Sequence, residues 1–450
     1  MDSLLHSRPT GFLPQPYEGE TLYSLIARYG AQTGYRTANQ AFFDLIGGRQ
    51  RRPVHDFPFH LDAIAAGIPS RFSLDAERIF DRHTLAPYYL FRAPPATRAA
   101  ALAAAKGQEG KVARIVGAHS RPIGPITHLR FCPACLKAME DADQDLHWLR
   151  AHQLPIASHC VIHSEPLRVS LVEVGVEDFR LHRASRARCP DDAPAIAAST
   201  ETDQALLLDI SRRAVGVLEG DDTICQLAPE GDDVAFSKAL AAEFVARGFE
   251  LGMGKIVWSS LEAGIAPIVD GIGCVHAAVP RAGRSHNGWL RRLLDGGRSV
   301  GTDAVVLAMA ILDRLPKIPP PFGTGPWECV NPLADHYGDA VVTELRRLQI
   351  GSGMIRGWFD CDCGCGYTRV CNPDGGLGRP MVRHYGPLLE PFILRCSKAG
   401  WSIKKTAREL GTDSIVVVRM VGDDRIPHSW DAASFADRYA RVRKPRGVDG

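Results

Sequence analysis

Two short spacings, Cys132-Pro133-Ala134-Cys135 and Cys160-Val161-Ile162-His163, constrain this chain more than any other feature. Each spacing is a tight turn that points two ligand atoms at one centre. Twenty-four residues separate them, enough for a hairpin or a short helix that brings the turns together. Three thiolates and an imidazole complete a tetrahedral shell, which zinc accepts without electronic preference. With all four positions filled by protein no place is left for an activated water, so the expected role is structural and not catalytic. A redox reading of the C-x-x-C pair needs a surrounding βαβ pattern, which is missing here. His147, His152 and His159 lie nearby and read as packed or exposed side chains.

A second cluster is less regular. Cys329 and His336 come from one segment, and Cys361, Cys363 and Cys365 from another, with Cys371 beyond them. The favoured set is Cys329, His336, Cys361 and Cys363, the glycines near it supplying the bends that C-x-C spacing needs; pairings through Cys365 or Cys371 are the alternatives. Cys189, Cys225, Cys274 and Cys396 stand alone and read as inert buried thiols. Twelve cysteines in an intracellular chain are expected to be reduced, so clusters point to metal before disulfide.

The rest of the chain reads as mainly helical, a multi-domain protein of 450 residues carrying two small zinc ribbons. The expected segments are a helical N-terminal domain at 1–120, a first ribbon at 121–185, a helical middle domain at 186–325, a second ribbon at 326–385 and a C-terminal helical domain at 386–450. Leu22, Leu25, Ile26 and Tyr29 recur at helical spacing, as do the apolar residues 41–46 before Gly47-Gly48. Residues 99–105 are alanine-rich and helical in pattern, and prolines between 316 and 326 mark a boundary. The longest apolar run, 304–312, is far short of the ~20 residues that span a bilayer, and the first twenty residues lack a secretory pattern. The expectation is a cytoplasmic chain without membrane contact.

Net charge is +2, but residues 379–450 hold fourteen Lys and Arg against eight Asp and Glu. Within them, 402–421 has the spacing of a DNA-binding helix-turn-helix. Ile403, Thr406, Ala407 and Leu410 share one face, Gly411 suits the turn, and Asp413 precedes a second helix whose Val417 and Met420 point inward. Lys404, Lys405 and Arg408 are then placed for phosphate, and Ser414, Ile415, Val418 and Arg419 for base edges, with arginine suited to guanine and the aliphatic side chains to a thymine methyl. Residues 248–255 resemble a phosphate loop only superficially, because the G-x-x-x-x-G-K spacing is absent and Ile256 follows Lys255. No H-E-x-x-H and no spaced carboxylate cluster is evident, so no enzyme activity is expected.

These residues together resemble the TniQ/TnsD family of transposon target-selection proteins. The resemblance rests on Pro16-Tyr17-Glu18-Gly19-Glu20-Thr21-Leu22-Tyr23-Ser24, on Arg130-Phe131-Cys132-Pro133-Ala134-Cys135, on His147-Trp148 and His152-Gln153-Leu154, and on Cys160-Val161-Ile162-His163-Ser164-Glu165-Pro166-Leu167. Trp327-Glu328-Cys329, Asp335-His336-Tyr337, Cys361-Asp362-Cys363-Gly364 and Tyr367-Thr368-Arg369 are similar to the longer, TnsD-like members, although His336 stands where a cysteine is commoner. The resemblance implies a non-catalytic bacterial protein at the nucleoid that binds a double-stranded DNA attachment site, or joins a CRISPR RNA-guided complex, and recruits an AAA+ ATPase that brings the transposase. A zinc-containing helix-turn-helix transcription regulator shares every motif and is the rival reading.

Overall fold

Helix starts and stops follow local chemistry in this computed structural model of the chain, which describes residues 12–35, 37–46, 56, 59–107, 111–116, 123, 125–174, 180–198, 200–221, 231–248, 258–273, 288–295, 301–315, 320–350, 354–372 and 375–421. The order is α1 (Leu22–Gln32), α2 (Ala38–Ile46), α3 (Leu61–Gly67), α4 (Ala76–Arg82), α5 (Ala86–Tyr89), α6 (Pro95–Lys106), α7 (Val112–Ile115), β1 (His128–Phe131), α8 (Pro133–Asp141), β2 (Arg168–Glu173), α9 (Glu201–Glu219), α10 (Asp233–Ala246), α11 (Trp258–Gly273), α12 (Gly288–Leu294) and α13 (Thr302–Arg314). There follow β3 (Trp327–Glu328), β4 (Ala340–Val342), β5 (Glu344–Ile350), β6 (Met354–Asp360), β7 (Gly366–Cys371), β8 (Met381–His384), α14 (Leu389–Lys398), α15 (Ile403–Glu409) and α16 (Ser414–Val421). Thr21, Thr200 and Ser402 cap α1, α9 and α15 by accepting the N–H three residues on. Gly47-Gly48, the stop expected after α2, and the loop-like stretch from 249 to 255 lie outside the described residues.

The chain divides into two units, one of residues 1–244 with 258–316, the other of 245–257 with 317–450. The first cysteine module shares a unit with the N-terminal helices, the second shares a unit with the C-terminal helices, and the segment 186–325 read as one middle domain is divided between the two. In the first unit the apolar run 304–312 is a helix buried almost all round. Among the described residues no helix is long and apolar enough to cross a membrane.

The core that positions the first cysteine module is made by Leu129, Phe131, Leu136, Trp148, Leu167 and Val172, with Tyr23 of α1 packed among them. Trp148 ties the module to that helix: its N–H donates to Ser24 Oγ (3.0 Å), its carbonyl accepts from Thr21 N (2.9 Å), and its indole donates to the His182 carbonyl (2.7 Å). Arg28, also on α1, is buried between Glu20 (2.9 Å) and Asp145 (3.0 Å). An unpaired guanidinium there would carry a heavy desolvation cost, which its two carboxylates offset.

The second unit holds an antiparallel sheet in the order β5-β6-β7-β8 and a short β3-β4 pair. Leu345, Phe359, Tyr367 and Val382 face a core shared with Phe322, Cys329 and Val342. Phe359 stacks on Tyr367 at 4.7 Å and meets Trp327 edge-on at 5.4 Å. The sequence reading of a small ribbon therefore understates this sheet, because strands such as β5 put Arg347 on the face of Leu345 and Leu348 on the other, which blurs the alternation that would announce them.

Candidate metal centres

Cys132 is the residue before α8, Pro133 begins the helix, and Cys135 lies in its first turn. A C-x-x-C placed across a helix start turns both sulfurs to one side, where free backbone N–H groups favour thiolate. β1 leads into this turn, and β2 leaves the opposite one, the two strands pairing antiparallel. The second turn is closed by Ser164 N donating to the Cys160 carbonyl and Cys160 N donating to the Glu165 carbonyl, both at 2.8 Å, with Ser164 at φ +58°.

The four ligand atoms lie within 4.8 Å of one another. Nδ1 of His163 is 3.3 Å from Cys135 Sγ and 3.6 Å from the sulfurs of both Cys132 and Cys160, and the Cys135 and Cys160 sulfurs are 3.6 Å apart. A tetrahedron with Zn–S of about 2.3 Å and Zn–N of about 2.0 Å has edges of roughly 3.5–3.8 Å, so the cluster can hold such an ion. Its protons are shared unequally. Hydrogen bonds from Cys132 and Cys135 hold the Cys160 thiol far below its usual range, while the Cys132 and Cys160 sulfurs and burial push Cys135 far above it. Cys132, pulled down by Cys135 but raised by Cys160 and burial, ends at about 11. Because zinc binds thiolate and not thiol, metal binding at such a cluster releases protons.

The second set, Cys329, His336, Cys361 and Cys363, also brings its ligand atoms within 4.8 Å. Cys329 Sγ is 3.8 Å from Cys363 Sγ, and His336 Nε2 is 3.3 Å from Cys361 Sγ. Here the ligands come from loops. Cys329 and His336 sit at and within the β3-β4 connection, and Cys361 and Cys363 sit on the turn between β6 and β7. That turn closes through Cys361 N to the Cys365 carbonyl (2.9 Å) and Gly364 N to the Cys361 carbonyl (2.8 Å). Gly364 takes φ +80°, and a Cβ there would meet Pro387 Cδ at 2.7 Å, so a glycine is required on both counts. Burial raises the Cys363 thiol, but the hydrogen bond from Asn331, with others from Cys365 N–H and His336, outweighs it and leaves about 7. Cys329 is pushed up to about 12, chiefly by burial.

Two further residues lie beside the clusters, and the sequence reading missed the role of one of them, Asn331. His152, read as a packed or exposed histidine, is buried with Nε2 3.9 Å from Cys135 Sγ. Asn331, fully buried, donates to Cys363 Sγ (3.5 Å) and to the Tyr385 carbonyl (3.3 Å) while accepting from Leu333 N (3.1 Å). The only signal for Asn331 was its position two residues after Cys329. Cys365 is buried beside the second set and pushed up to about 12 by burial, and Cys189 is raised likewise to about 12. Cys396 is buried, and Cys225 and Cys274 lie outside the described residues.

The C-terminal helix pair shows which face is available. Ile403, Thr406, Ala407, Leu410 and Val417 are buried, Gly411 takes φ +62°, and Tyr385 Oη donates to the Leu410 carbonyl at 3.0 Å. Lys404, Lys405 and Arg408 are exposed, and Ser414 and Ile415 are half-buried. Val418 corrects the sequence reading. Expected at a base edge, it is 6% exposed and packed in the core beside Val417, because the apolar stripe of a packed helix is wide enough to take two adjacent positions. The side chains of Arg419 and Met420 lie outside the described residues.

Comparison with known proteins follows this division. Residues 12–167, which include the whole first cluster, match TniQ. Residues 309–444, which include the second cluster and the helix pair, match Tn7-like transposition protein D. The chain belongs to the TniQ/TnsD family. It is 26% identical over 151 residues to the transposon Tn7 transposition protein TnsD of Escherichia coli. That match covers 33% of this chain and 30% of the relative, so the two are aligned over about a third of their lengths.

Proposed function

We propose that this TniQ/TnsD family protein selects a target for transposition by binding a specific double-stranded DNA site and recruiting an AAA+ ATPase, which in turn brings the transposase. The observation that carries this reading is that the TniQ and TnsD regions each contain one four-ligand cluster, and the TnsD region also contains the basic helix pair. In this reading Cys132, Cys135, Cys160 and His163 hold one structural Zn2+, and Cys329, His336, Cys361 and Cys363 a second. Both ions brace surfaces and neither takes part in a reaction. Helices α15 and α16 act as the helix-turn-helix. Lys404, Lys405 and Arg408 meet phosphate, and Ser414, Ile415 and Arg419 reach base edges from the major groove. Val418 is left to the core.

Binding of purified protein to its target should weaken steeply with salt, each neutralised phosphate contributing a log–log slope of about −0.9. Arg419→Ala should lower discrimination between target and scrambled duplex, and the ATPase should co-sediment with target DNA only when this protein is present. Equal affinity for both duplexes, or ATPase recruitment that is independent of the protein, would overturn the reading.

A further inference from the structure

The solvent face of the β5-β8 sheet carries an aromatic side chain set among cations. Side chains alternate between the two faces of a strand, so the core positions of Phe359, Leu345 and Tyr367 put their neighbours on the opposite face. Trp358 lies there, in register with Arg346 on β5 and Thr368 on β7. It is partly exposed. Arg356, two residues back on the same strand, brings its guanidinium carbon to 5.9 Å from the Trp358 ring centre. Thr368, buried next to Trp358 on β7, accepts at Oγ1 from Arg383 Nε of β8 (3.3 Å), which places Arg383 one strand further along the same face. The same face leaves Leu348 52% and Met381 61% exposed, so it is uncovered at both flanks. At one end of the face Asp360 and Glu344 stand in register, and Asp360 engages Arg346 at 2.8 Å.

We propose that this face is a platform for single-stranded DNA, with an unstacked base lying on Trp358 and the flanking phosphates met by Arg356 and Arg383. Every base has a π face, so stacking on tryptophan tolerates sequence, while guanidinium groups alongside follow the backbone. A sheet face with Arg356 against the ring and Arg383 one strand further on suits a strand with splayed bases better than a protein anchor, which would have to desolvate those arginines without a matching anion. The choice of DNA over RNA rests on the target-selector reading, since the basic helix pair belongs to the same unit.

The test uses the full-length, zinc-loaded protein and fluorescence anisotropy with labelled oligo-dT of about fifteen nucleotides, oligo-rU of equal length and target duplex. Trp358→Ala should weaken oligo-dT binding about ten-fold or more, Arg356→Ala and Arg383→Ala each several-fold, and Trp358→Phe less than Trp358→Ala, with duplex binding unchanged throughout. Lys404→Ala and Arg408→Ala should show the reverse pattern, weakening duplex and sparing oligo-dT. Photo-crosslinking of an oligonucleotide carrying 5-iododeoxyuridine should label the wild-type peptide that contains Trp358, a result that needs no variant to fold. Undiminished oligo-dT affinity in Trp358→Ala, or crosslinks confined to other peptides, would overturn the platform. Tighter binding of oligo-rU than of oligo-dT would overturn the assignment to DNA. Loss of duplex specificity in the Arg419→Ala control, with oligo-dT binding intact, separates the platform from the target-reading helices.

Discussion

The two four-ligand clusters share their chemistry and differ in what holds it. The first is built on a helix start, with Cys132 and Cys135 one turn apart, all three cysteines buried, and a core that reaches into α1 through Trp148 and Tyr23. The second is built on loops between short strands, with Cys363 and His336 half-buried and a buried asparagine hydrogen-bonded to one sulfur. A helix start supplies preset geometry and a favourable dipole, whereas a C-x-C turn depends on glycines and on outside partners to keep its sulfurs aligned. A metal ion in the first cluster should therefore be part of folding, and one in the second should be more open to exchange.

The largest effect expected from this contrast is in the first cluster. Cys135→Ser should release about one zinc per chain, measured by elemental analysis, and unfold the surrounding module, because structural zinc supplies apparent free energies on the order of 10 kcal/mol. Full zinc content with an unchanged melting curve would remove the first half of the comparison.

Acid should strain the same unit next. His147 stacks on Tyr17 at 4.6 Å and bonds the Asp145 carbonyl through Nδ1 at 2.9 Å, and burial lowers its pKa from 6.5 to about 4. Between those two values the unfolded chain binds a proton that the folded chain refuses, so stability is full above pH 6.5 and falls as pH drops towards 4. The loss is about 3 kcal/mol for this one group. Denaturant titrations at pH 7 and 4.5 should show a smaller pH-dependent loss in His147→Phe than in wild type, a difference that sets aside the zinc released by acid in both. Equal losses in the two proteins would assign the acid sensitivity elsewhere.

Val418→Ala sharpens the comparison in the second unit. It should cost about 2 kcal/mol in stability through a cavity beside Val417, and leave DNA affinity unchanged once folded protein is compared. A loss of base preference at full stability would return Val418 to the groove. Smaller again, Asn331→Leu should lower zinc affinity of the second cluster about ten-fold in a chelator competition and leave the first untouched, the usual effect of removing a partner of a ligand. Equal loss from both clusters would show that they are not independent.

How much of this was legible in the chain follows from the range of each interaction. C-x-x-C and C-x-x-H are contacts within one turn of backbone, so spacing alone announces them. The helical pattern of 22–29 and the glycine turn at Gly411 are equally local. Val418 was misread because helical periodicity gives a direction only to within the width of the stripe, and a neighbouring helix decides how much of that stripe it covers. The Trp358 face was not visible either. A tryptophan two residues after Arg356 has no stated surroundings until strand register sets Arg346 and Thr368 beside it.

By itself the sequence determined the ligand types, their local spacing, the caps of the helices and the family to which the chain belongs. The tertiary structure alone decided that Asn331 reaches Cys363 and that Val418 turns inward. Each of those joins residues distant in the chain, or depends on what a neighbouring element covers. Such contacts form only when the whole core closes, since the entropy of bringing distant segments together is recovered through packing that no single segment contains.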